Sequence, residues 1–269
     1  AQRIAIARPT VVAFQEVENR RVLWYLTRAI DREHSLSYRE LSLQSRDHYT
    51  EQDVGMLFRR PADALLTSQF SMPQRMRADN RYSDVTKHLL AVFEFPVGDR
   101  VERVAVLNVH LRSGVQGTPV RLRQARLLHH WISAAIQRGE HLIVLGDFNT
   151  EQRSDVTQDQ SELGILSGRE TQATSDDLID LNLRLPPDDR QTHLLPDRQF
   201  DRIFCTPSLV IDDPQRPDLV FRSIKVRSDL AIQGQPDDSQ RHWKHYWQIP
   251  DDQRDLSDHY PVIATFEVR

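Results

Sequence analysis

The sequence predicts one α+β domain over residues 1–269. Short runs of apolar and β-branched residues, each of strand length, occur along the whole chain together with longer segments of helical periodicity. No internal repeat and no domain linker separates these elements, so we expect them to share one core. A hydrophobic fraction of 39% and a charged fraction of 28% are typical of a globular protein with such a core.

Composition excludes several classes of site and protein. No apolar run approaches the ~20 residues that a membrane helix needs. Cys205 is the only cysteine, which excludes an intrachain disulfide and a zinc site built from cysteines. A net charge of −4 gives no general attraction for polyanions, so a phosphate would be bound by a local basic cluster or a metal. We expect a soluble monomer, either cytoplasmic or exported after removal of a signal peptide.

The first half of the chain predicts a helix, a strand and a helix, followed by strands and a hairpin. In order, these are the end of a helix in 1–9, a strand at 10–14, a helix at 17–30, strands at 38–43 and 54–59, a polar surface excursion at 60–84, and a hairpin of 85–95 with 101–111. The first helix stops at Arg8-Pro9, because the residue before proline disfavours helical backbone. A chain that opens in this way suggests that an earlier strand is missing.

The second half predicts one long helix and several short strands. Thr118 and Pro119 supply an N-cap and a first-turn proline, and the helix extends to about Arg138 before Gly139. The remaining elements are a strand at 141–145, an Asp-, Gln- and Ser-rich loop to about 160, short strands at 178–181, 199–206, 219–226 and 261–268, and a polar excursion at 229–254.

The stretch 141–150 presents two polar side chains at the end of a buried strand. Because side chains alternate along a strand, Asp147 and Asn149 are expected on one side and Phe148 in the core. A carboxylate beside an amide can align a water and bind a phosphate oxygen. The alternative is an Asp-x-Asn turn that closes the strand, and this stretch alone favours neither interpretation.

Five polar clusters occur at predicted strand ends and together suggest hydrolysis of phosphate esters with a divalent metal. Glu16 and Asp258 are candidate oxygen ligands for Mg²⁺ or Mn²⁺. Asp147 and Asn149 would align the attacking water, and His259 or His110 would stabilise the phosphoryl charge or transfer protons. Asp201 is the natural partner to orient His259. Each cluster alone would equally suit a turn, a cap or a solvated carboxylate.

These clusters resemble the successive motifs of the endonuclease/exonuclease/phosphatase superfamily, in that family's order and across residues 14–262. The motifs are Phe14-Gln15-Glu16-Val17, Leu107-Asn108-Val109-His110-Leu111, Gly146-Asp147-Phe148-Asn149, Phe200-Asp201-Arg202-Ile203 and Ser257-Asp258-His259-Tyr260-Pro261-Val262. The segment from Asn108 to Gly114, with the helix that carries Trp131, is similar to a bacterial, nuclease-like branch.

The resemblance implies a DNase I-like, four-layer α/β/β/α sandwich with the site at one open edge. Carried over by motif, Glu16 is the metal ligand, supported by Asp258, and Asp147 activates the water. His259 is the catalytic histidine, oriented by Asp201. Asn149, Asn108 and His110 contact the phosphate, and Asp53 lies where a carboxylate would orient His110. The family begins with a strand that carries a metal-associated Asn, which this sequence lacks before Ala1.

The resemblance implies a metal-dependent hydrolase, and we favour a nuclease acting on DNA or RNA. The alternatives are a phosphatase or phosphodiesterase of a small or lipid phosphate, such as an inositol phosphate or a phospholipid, and a catalytically silent binding scaffold. Two surface features bear on the substrate. A basic rim, made of Arg75, Arg77, Arg81, Arg112, Arg121, Arg123 and Arg126, would bind phosphates or simply cover apolar neighbours. The aromatic residues Trp243, Tyr246 and Trp247 would stack bases or, slightly favoured, form the small core of a lid.

Overall fold

The computed structural model describes residues 1–45, 50, 52–60, 65–70, 85–150, 161–215, 217–233 and 244–269. The predictions about Arg75, Arg77, Arg81 and Trp243 lie outside these residues. The helices are α1 (Gln2–Ala7), α2 (Arg20–His34), α3 (Thr118–Gln137) and α4 (Glu162–Leu166). The strands are β1 (Val11–Val17), β2 (Ser37–Ser42), β3 (Asp53–Arg60), β4 (Leu65–Phe70), β5 (His88–Val97), β6 (Arg100–His110), β7 (His141–Asp147), β8 (Ile179–Asp180), β9 (Asp201–Cys205), β10 (Leu219–Val226) and β11 (Val262–Val268).

A six-stranded sheet forms the centre of the molecule, with the strand order β4-β5-β6-β7-β9-β8. β6 and β7 are parallel and are connected through α3, because two parallel neighbours require a long crossover. The other neighbouring pairs are antiparallel. The parallel pair brings the carboxyl ends of β6 and β7 to the same edge, where both predicted polar motifs end.

Two smaller sheets, β1-β3-β2 and β10-β11, form the second β layer. Met56 and Phe58 of β3 belong to one buried cluster with Leu89 and Phe93 of β5, and the rings of Phe58 and Phe93 lie 5.8 Å apart. β1 contacts β6 and β7, while β11 contacts β9. The core of the sandwich therefore lies between the six-stranded sheet and this layer.

Helices cover the outer faces of both β layers. On the six-stranded sheet, α3 contributes Leu128 and Ile132 to a cluster that includes Phe204 of β9. On the second layer, α2 buries Leu23 and Ile30 with Leu57 of β3. These layers confirm the α/β/β/α sandwich. No helix within the described ranges has both the length and the apolar character needed to cross a membrane.

The largest differences from the predicted elements occur where the chain is polar. The excursion predicted at 60–84 contains a strand, β4, which pairs with β5 at the edge of the six-stranded sheet. α4 was not predicted, although Ser161 caps it by accepting a hydrogen bond from the Gly164 N–H at 3.0 Å. The strand predicted at 178–181 is only Ile179–Asp180 and is followed by a 3₁₀ helix at Leu181–Arg184.

The second helix begins later than predicted. Val17 still belongs to β1, and α2 starts at Arg20 because the side chain of Asn19 accepts hydrogen bonds from the N–H groups of Arg21 and Val22. The extra strand residues matter for function, because they carry Gln15 and Glu16 inside β1.

Candidate active site

Three predicted site residues lie side by side across the six-stranded sheet. His110 of β6 pairs with Asp147 of β7, and Asp147 pairs with Asp201 of β9. Glu16, near the end of β1, and the segment Asp258-His259 before β11 come from the second β layer. The site therefore draws residues from both layers of the sandwich.

Gly146 permits the close contact between β6 and β7 just before Asp147. Its φ of 137° favours glycine, and a Cβ there would collide with the carbonyl oxygen of Val109. After Asp147, Phe148 is completely buried and meets the ring of Phe204 edge-on at 5.4 Å. The predicted role of Phe148 as a core anchor fits these contacts.

Asn149 contacts Asp147 through a turn, and the predicted strand alternation is wrong here because β7 ends at Asp147. Asn149 has a left-handed φ of 48°, which folds its backbone N–H back onto Asp147 Oδ1 at 2.8 Å. Its side-chain amide donates to Asp147 Oδ2 at 2.9 Å and to the Leu111 carbonyl at 3.1 Å. Because both amide hydrogens are used inside the protein, Asn149 orients Asp147 in this geometry.

Asp147 is 5% exposed, and the environment of its carboxyl group opposes ionisation. Burial raises the pKa of Asp147 to about 7, and the charges of Asp201 and Glu16 act in the same direction. The charge of His259 and the hydrogen bond from the Asn149 N–H oppose this rise in the pKa. A carboxyl with a pKa near neutrality is suited to accept a proton during catalysis.

His259 forms a short hydrogen bond with Asp201, as predicted. Its Nδ1 lies 2.8 Å from Asp201 Oδ2. Burial alone would lower the pKa of His259, but this hydrogen bond and the charges of Asp201, Asp147 and Asp258 raise it to about 9. The ring is therefore cationic at neutral pH and keeps Nε2–H as a second donor.

His193, which belongs to none of the sequence motifs, contacts both Asp258 and His259. Backbone pairing joins His193 to His259, and their rings lie 4.8 Å apart at 85°. His193 Nδ1 accepts a hydrogen bond from the Leu195 N–H at 2.9 Å. The neutral ring therefore carries its proton on Nε2, which lies 3.5 Å from Asp258 Oδ2. This contact is the largest cause of the lowered pKa of Asp258.

The ligand atoms of His193, Asp258 and His259 lie within 4.8 Å of one another, a spacing that could hold a metal ion. The hydrogen bonds argue against a metal bound by all three groups. Nδ1 of each histidine already has a hydrogen-bond partner, the Leu195 N–H for His193 and Asp201 for His259, so only Nε2 of each ring faces a ligand, and the raised pKa of His259 opposes loss of a proton from its ring. Among the three, the carboxylate of Asp258, which is half exposed, is the most readily available ligand.

A bulge in β1 exposes Glu16. The pairing of β1 with β3 shifts between Phe14 and Val17, and Glu16 has a left-handed φ of 57°. Such a conformation is unusual for a residue other than glycine and is often found at functional sites. Between the partly buried Gln15 and the buried Val17, the bulge leaves Glu16 exposed to solvent.

Asn108 supports this bulge and is not placed to contact a phosphate, which corrects the prediction. Its side chain is completely buried and donates to the carbonyl oxygens of Phe14 and Gly55, each at 3.0 Å. Its Oδ1 accepts a hydrogen bond from Gln15 Nε2 at 2.6 Å. With both donors used, Asn108 links β6 to β1 and β3 beside Glu16.

His110 lies against Asp147, with Nε2 3.4 Å from Asp147 Oδ2. Both side chains are buried. The carboxylate of Asp53 accepts a hydrogen bond from the Ser45 N–H at 2.7 Å. The orientation of His110 by Asp53 stays a prediction.

The donor set of the site fits a hard divalent cation. The negative charges of Asp201 and Glu16 add to the effect of burial in raising the pKa of Asp147, and Asp258 adds a fourth carboxylate near His259. Carboxylate oxygens are the ligands that Mg²⁺ and Mn²⁺ prefer. Glu16 and Asp258 are the more exposed of these groups, so a hydrated cation would reach them.

The basic rim predicted on α3 is wrong for Arg121. Its guanidinium is 0% exposed and pairs with Glu162 at 2.8 Å, while it also donates to the carbonyl oxygens of Arg112 and Gly114. Arg126 lies on the surface and pairs with Glu170 at 2.6 Å. Arg121 therefore holds the loop after β6 in place and is not available to a substrate.

Within the described residues 244–257, the aromatic segment before Asp258 does not form the small core predicted for it. Trp247 is 82% exposed, and the 3₁₀ helix Tyr246–Gln248 contains no buried residue.

Comparison with known proteins gives one family and several solved structures. The model of the "Endonuclease/Exonuclease/phosphatase family" matches residues 1–259. Humanized D. rerio TDP2 is 18% identical, with a TM-score of 0.62 over 99% of this chain and 88% of that one. The human Nocturnin catalytic domain is 16% identical, with a TM-score of 0.59 over 99% and 83%. A Bacteroides thetaiotaomicron mannosyl-6-phosphatase is 13% identical, with a TM-score of 0.57 over 99% and 88%.

At these identities the solved structures establish the shared fold, and no curated protein matches the chain. The family model, in contrast, extends over nearly the whole sequence and ends at His259. The chain belongs to the endonuclease/exonuclease/phosphatase family, whose members are metal-dependent phosphoesterases and nucleases.

Proposed function

We propose that the protein is a divalent-metal-dependent phosphodiester hydrolase, a nuclease that acts on DNA or RNA. The observation that carries the proposal is the arrangement of Asp201, His259 and Asp147. A cationic histidine, oriented at 2.8 Å by Asp201, interacts electrostatically with a buried carboxyl whose pKa is near 7. This combination supplies a proton acceptor and a cationic donor in one site, as attack of water on a phosphate ester requires.

Asp147 accepts the proton of the attacking water in this proposal. Its pKa near 7 makes it a sufficiently strong base, and the two hydrogen bonds from Asn149 fix both of its oxygens. His110, 3.4 Å from the same carboxyl, lies beside the reacting group. His259 donates Nε2–H to a phosphoryl oxygen and offsets the negative charge that develops there, while Asp201 keeps the ring oriented.

Glu16 and Asp258 would hold Mg²⁺ or Mn²⁺, and the cation, when bound, would polarise the phosphoryl group as a Lewis acid. The bulge in β1 presents Glu16 to solvent, and the contact with His193 keeps Asp258 ionised, as its lowered pKa indicates. Asn108 acts indirectly in this proposal, by fixing the backbone on which Glu16 lies.

Nucleic acid is the favoured substrate, which is supported by a D. rerio TDP2 structure described as complexed with a single-strand DNA product. A phosphatase of a sugar or lipid phosphate is the second candidate, because the mannosyl-6-phosphatase has a similar fold and coverage. A catalytically silent scaffold is less compatible with the chain, because both Asp147 and His259 are present with partly buried, hydrogen-bonded partners.

The test is a panel assay of the chain with Mg²⁺ or Mn²⁺ on single- and double-stranded DNA, RNA, inositol phosphates and phospholipids. We expect hydrolysis of nucleic acid that stops in EDTA, and a fall of about 10²-fold or more in Asp147→Asn and in His259→Ala. Asp176→Asn, in a His–Asp contact on the α3 side of the sheet, is the matched control and should stay near wild type. Activity that persists in EDTA, or in either active-site variant, would contradict the proposal.

A further inference from the structure

We propose that the exposed indole ring of Trp247 is a stacking site for an unpaired nucleobase of the substrate, at the rim of the active site. The inference rests on the proposed nuclease function and names the form of nucleic acid that the site accepts. It assigns a role to the segment 244–257, which the proposed chemistry does not use.

The exposure of Trp247 is unusual for its residue type. At 82% it is the highest value among the exposed large apolar side chains in the described part of the chain, while Trp24 on α2 is 41% exposed. A buried tryptophan removes a large apolar area from water and so stabilises the fold, whereas an exposed indole ring does not contribute that stabilisation. A ring left in this position is available to a ligand.

The ring of Trp247 is held in place although it is exposed. The guanidinium of Arg254 lies over it, 5.5 Å from the ring centroid, and the ring of Tyr246 meets it edge-on at 5.2 Å. Arg254 also donates to the carbonyl oxygens of Tyr246 and Ile249, at 3.1 and 2.7 Å. One face of the indole is thus backed by a cation, and the opposite face is the one that a base would cover.

The segment that carries Trp247 is anchored beside the catalytic residues. The hydroxyl of Tyr246 donates to the carbonyl oxygen of Asp255, and the buried carboxylate of Asp255 accepts from the Gln233 N–H at 2.7 Å. Asp255 precedes Asp258 by three residues, so their Cα atoms are at most ~11 Å apart. Trp247 is therefore fixed, through Tyr246 and Arg254, to the backbone that positions Asp258 and His259.

The chemistry of the surface favours a base over a phosphate. Asp251, which pairs with Arg254, has a side chain that is 90% exposed, and Asp252 is exposed too. These carboxylates repel a phosphate but not the neutral face of a base. Every nucleobase has such a face, and stacking on aromatic side chains is how proteins bind single strands without regard to sequence. In a duplex both faces of each base are already stacked, so the ligand is an unpaired base.

The experiment compares two fluorescent oligonucleotides of equal length, one with bases and one with abasic spacers, in binding by anisotropy with EDTA and in hydrolysis with Mg²⁺ or Mn²⁺. Trp247→Ala should weaken binding of the base-bearing strand by about 5-fold or more and raise its KM, and should leave the abasic strand unchanged. Trp247→Phe should retain most of the binding. Trp24→Ala is the matched control, because that ring is exposed beside Arg28 on another face.

Equal weakening of both strands, or no weakening of the base-bearing strand in Trp247→Ala, would overturn the stacking site. Loss of base preference in Trp24→Ala as well would also overturn it, because the effect would then not be specific to this segment. If wild-type protein hydrolyses neither strand but binds the base-bearing one through Trp247, the proposed nuclease function fails and the stacking site stands. If wild-type protein instead hydrolyses the base-bearing and the abasic strand equally well, the proposed nuclease function stands and the stacking site fails.

Discussion

Replacing Asp201 by Asn should move the alkaline limb of the pH–activity profile to lower pH by more than two units. Asp201 raises the pKa of His259 more than any other group does, through a 2.8 Å hydrogen bond to Nδ1 and through its charge. With Asp201 present, the pKa of His259 is about 9. Without that charge, burial lowers the pKa of His259 toward or below its ordinary value of ~6.5. At pH 8 the cationic fraction would fall from about 0.9 to about 0.03, a roughly 30-fold loss, whereas at pH 6 most of it remains.

The assay is the pH dependence of kcat/KM on a nucleic acid substrate, together with an NMR titration of the His259 ring without metal. The acidic limb should also move to lower pH, because the charge of Asp201 contributes to the raised pKa of Asp147. Asp176→Asn removes a carboxylate 3.3 Å from His129 Nε2 and should leave both limbs unchanged. An Asp201→Asn profile that is lowered uniformly at every pH, with an unchanged His259 titration, would refute the electrostatic reasoning.

Two further predictions concern stability. Arg121→Met breaks a buried ion pair and leaves the Glu162 charge uncompensated, so the free energy of unfolding in urea should fall by about 3–5 kcal/mol. Arg126→Met, at an exposed pair, should lower it by less than about 1 kcal/mol. Similar losses in the two variants would contradict the burial argument. Burial lowers the pKa of His88 to about 4, so the unfolded chain binds its proton first as the pH falls, and stability that is present above pH ~6.5 is lost toward pH 4. His88→Gln should therefore lose about 3 kcal/mol less than wild type between pH 7 and pH 4, and parallel curves would show that His88 is not responsible.

The motifs at strand ends could be predicted from the sequence, and contacts between the layers could not. Alternation and the apolar run before Gly146 place Asp147 at the end of β7, and the sheet confirms that strand. Alternation also put Asn108 on the same side as His110, but it does not reveal that the facing backbone of β1 and β3 consumes both amide donors. His193 reaches the site only because its backbone pairs with His259, 66 positions later in the chain.

The burial of Arg121 follows from its helical spacing to apolar residues, but arginine is rarely buried, so the residue type suggested a surface position instead. Positions 121, 125, 128 and 132 recur at helical spacing, and the structure buries all four on α3. An arginine in an apolar stripe predicts a buried ion pair, although its partner, Glu162, could not be identified without the fold. β4 was missed for a related reason: an edge strand shows weak alternation and is defined mainly by its backbone pairing with β5.

The buried amide of Asn108 has a mechanical consequence for the site. Asp147, His110 and Asp201 belong to one sheet, while Glu16 belongs to the other, so the distance between the sheets sets the distance between the proposed base and the proposed metal ligand. The Asn108 side chain donates two hydrogen bonds and accepts a third, and together these fix that separation at the point where β1 bulges. These contacts hold the backbone next to Glu16 against the sheet that carries Asp147, so the relative position of the proposed metal ligand and the proposed base depends on one buried amide.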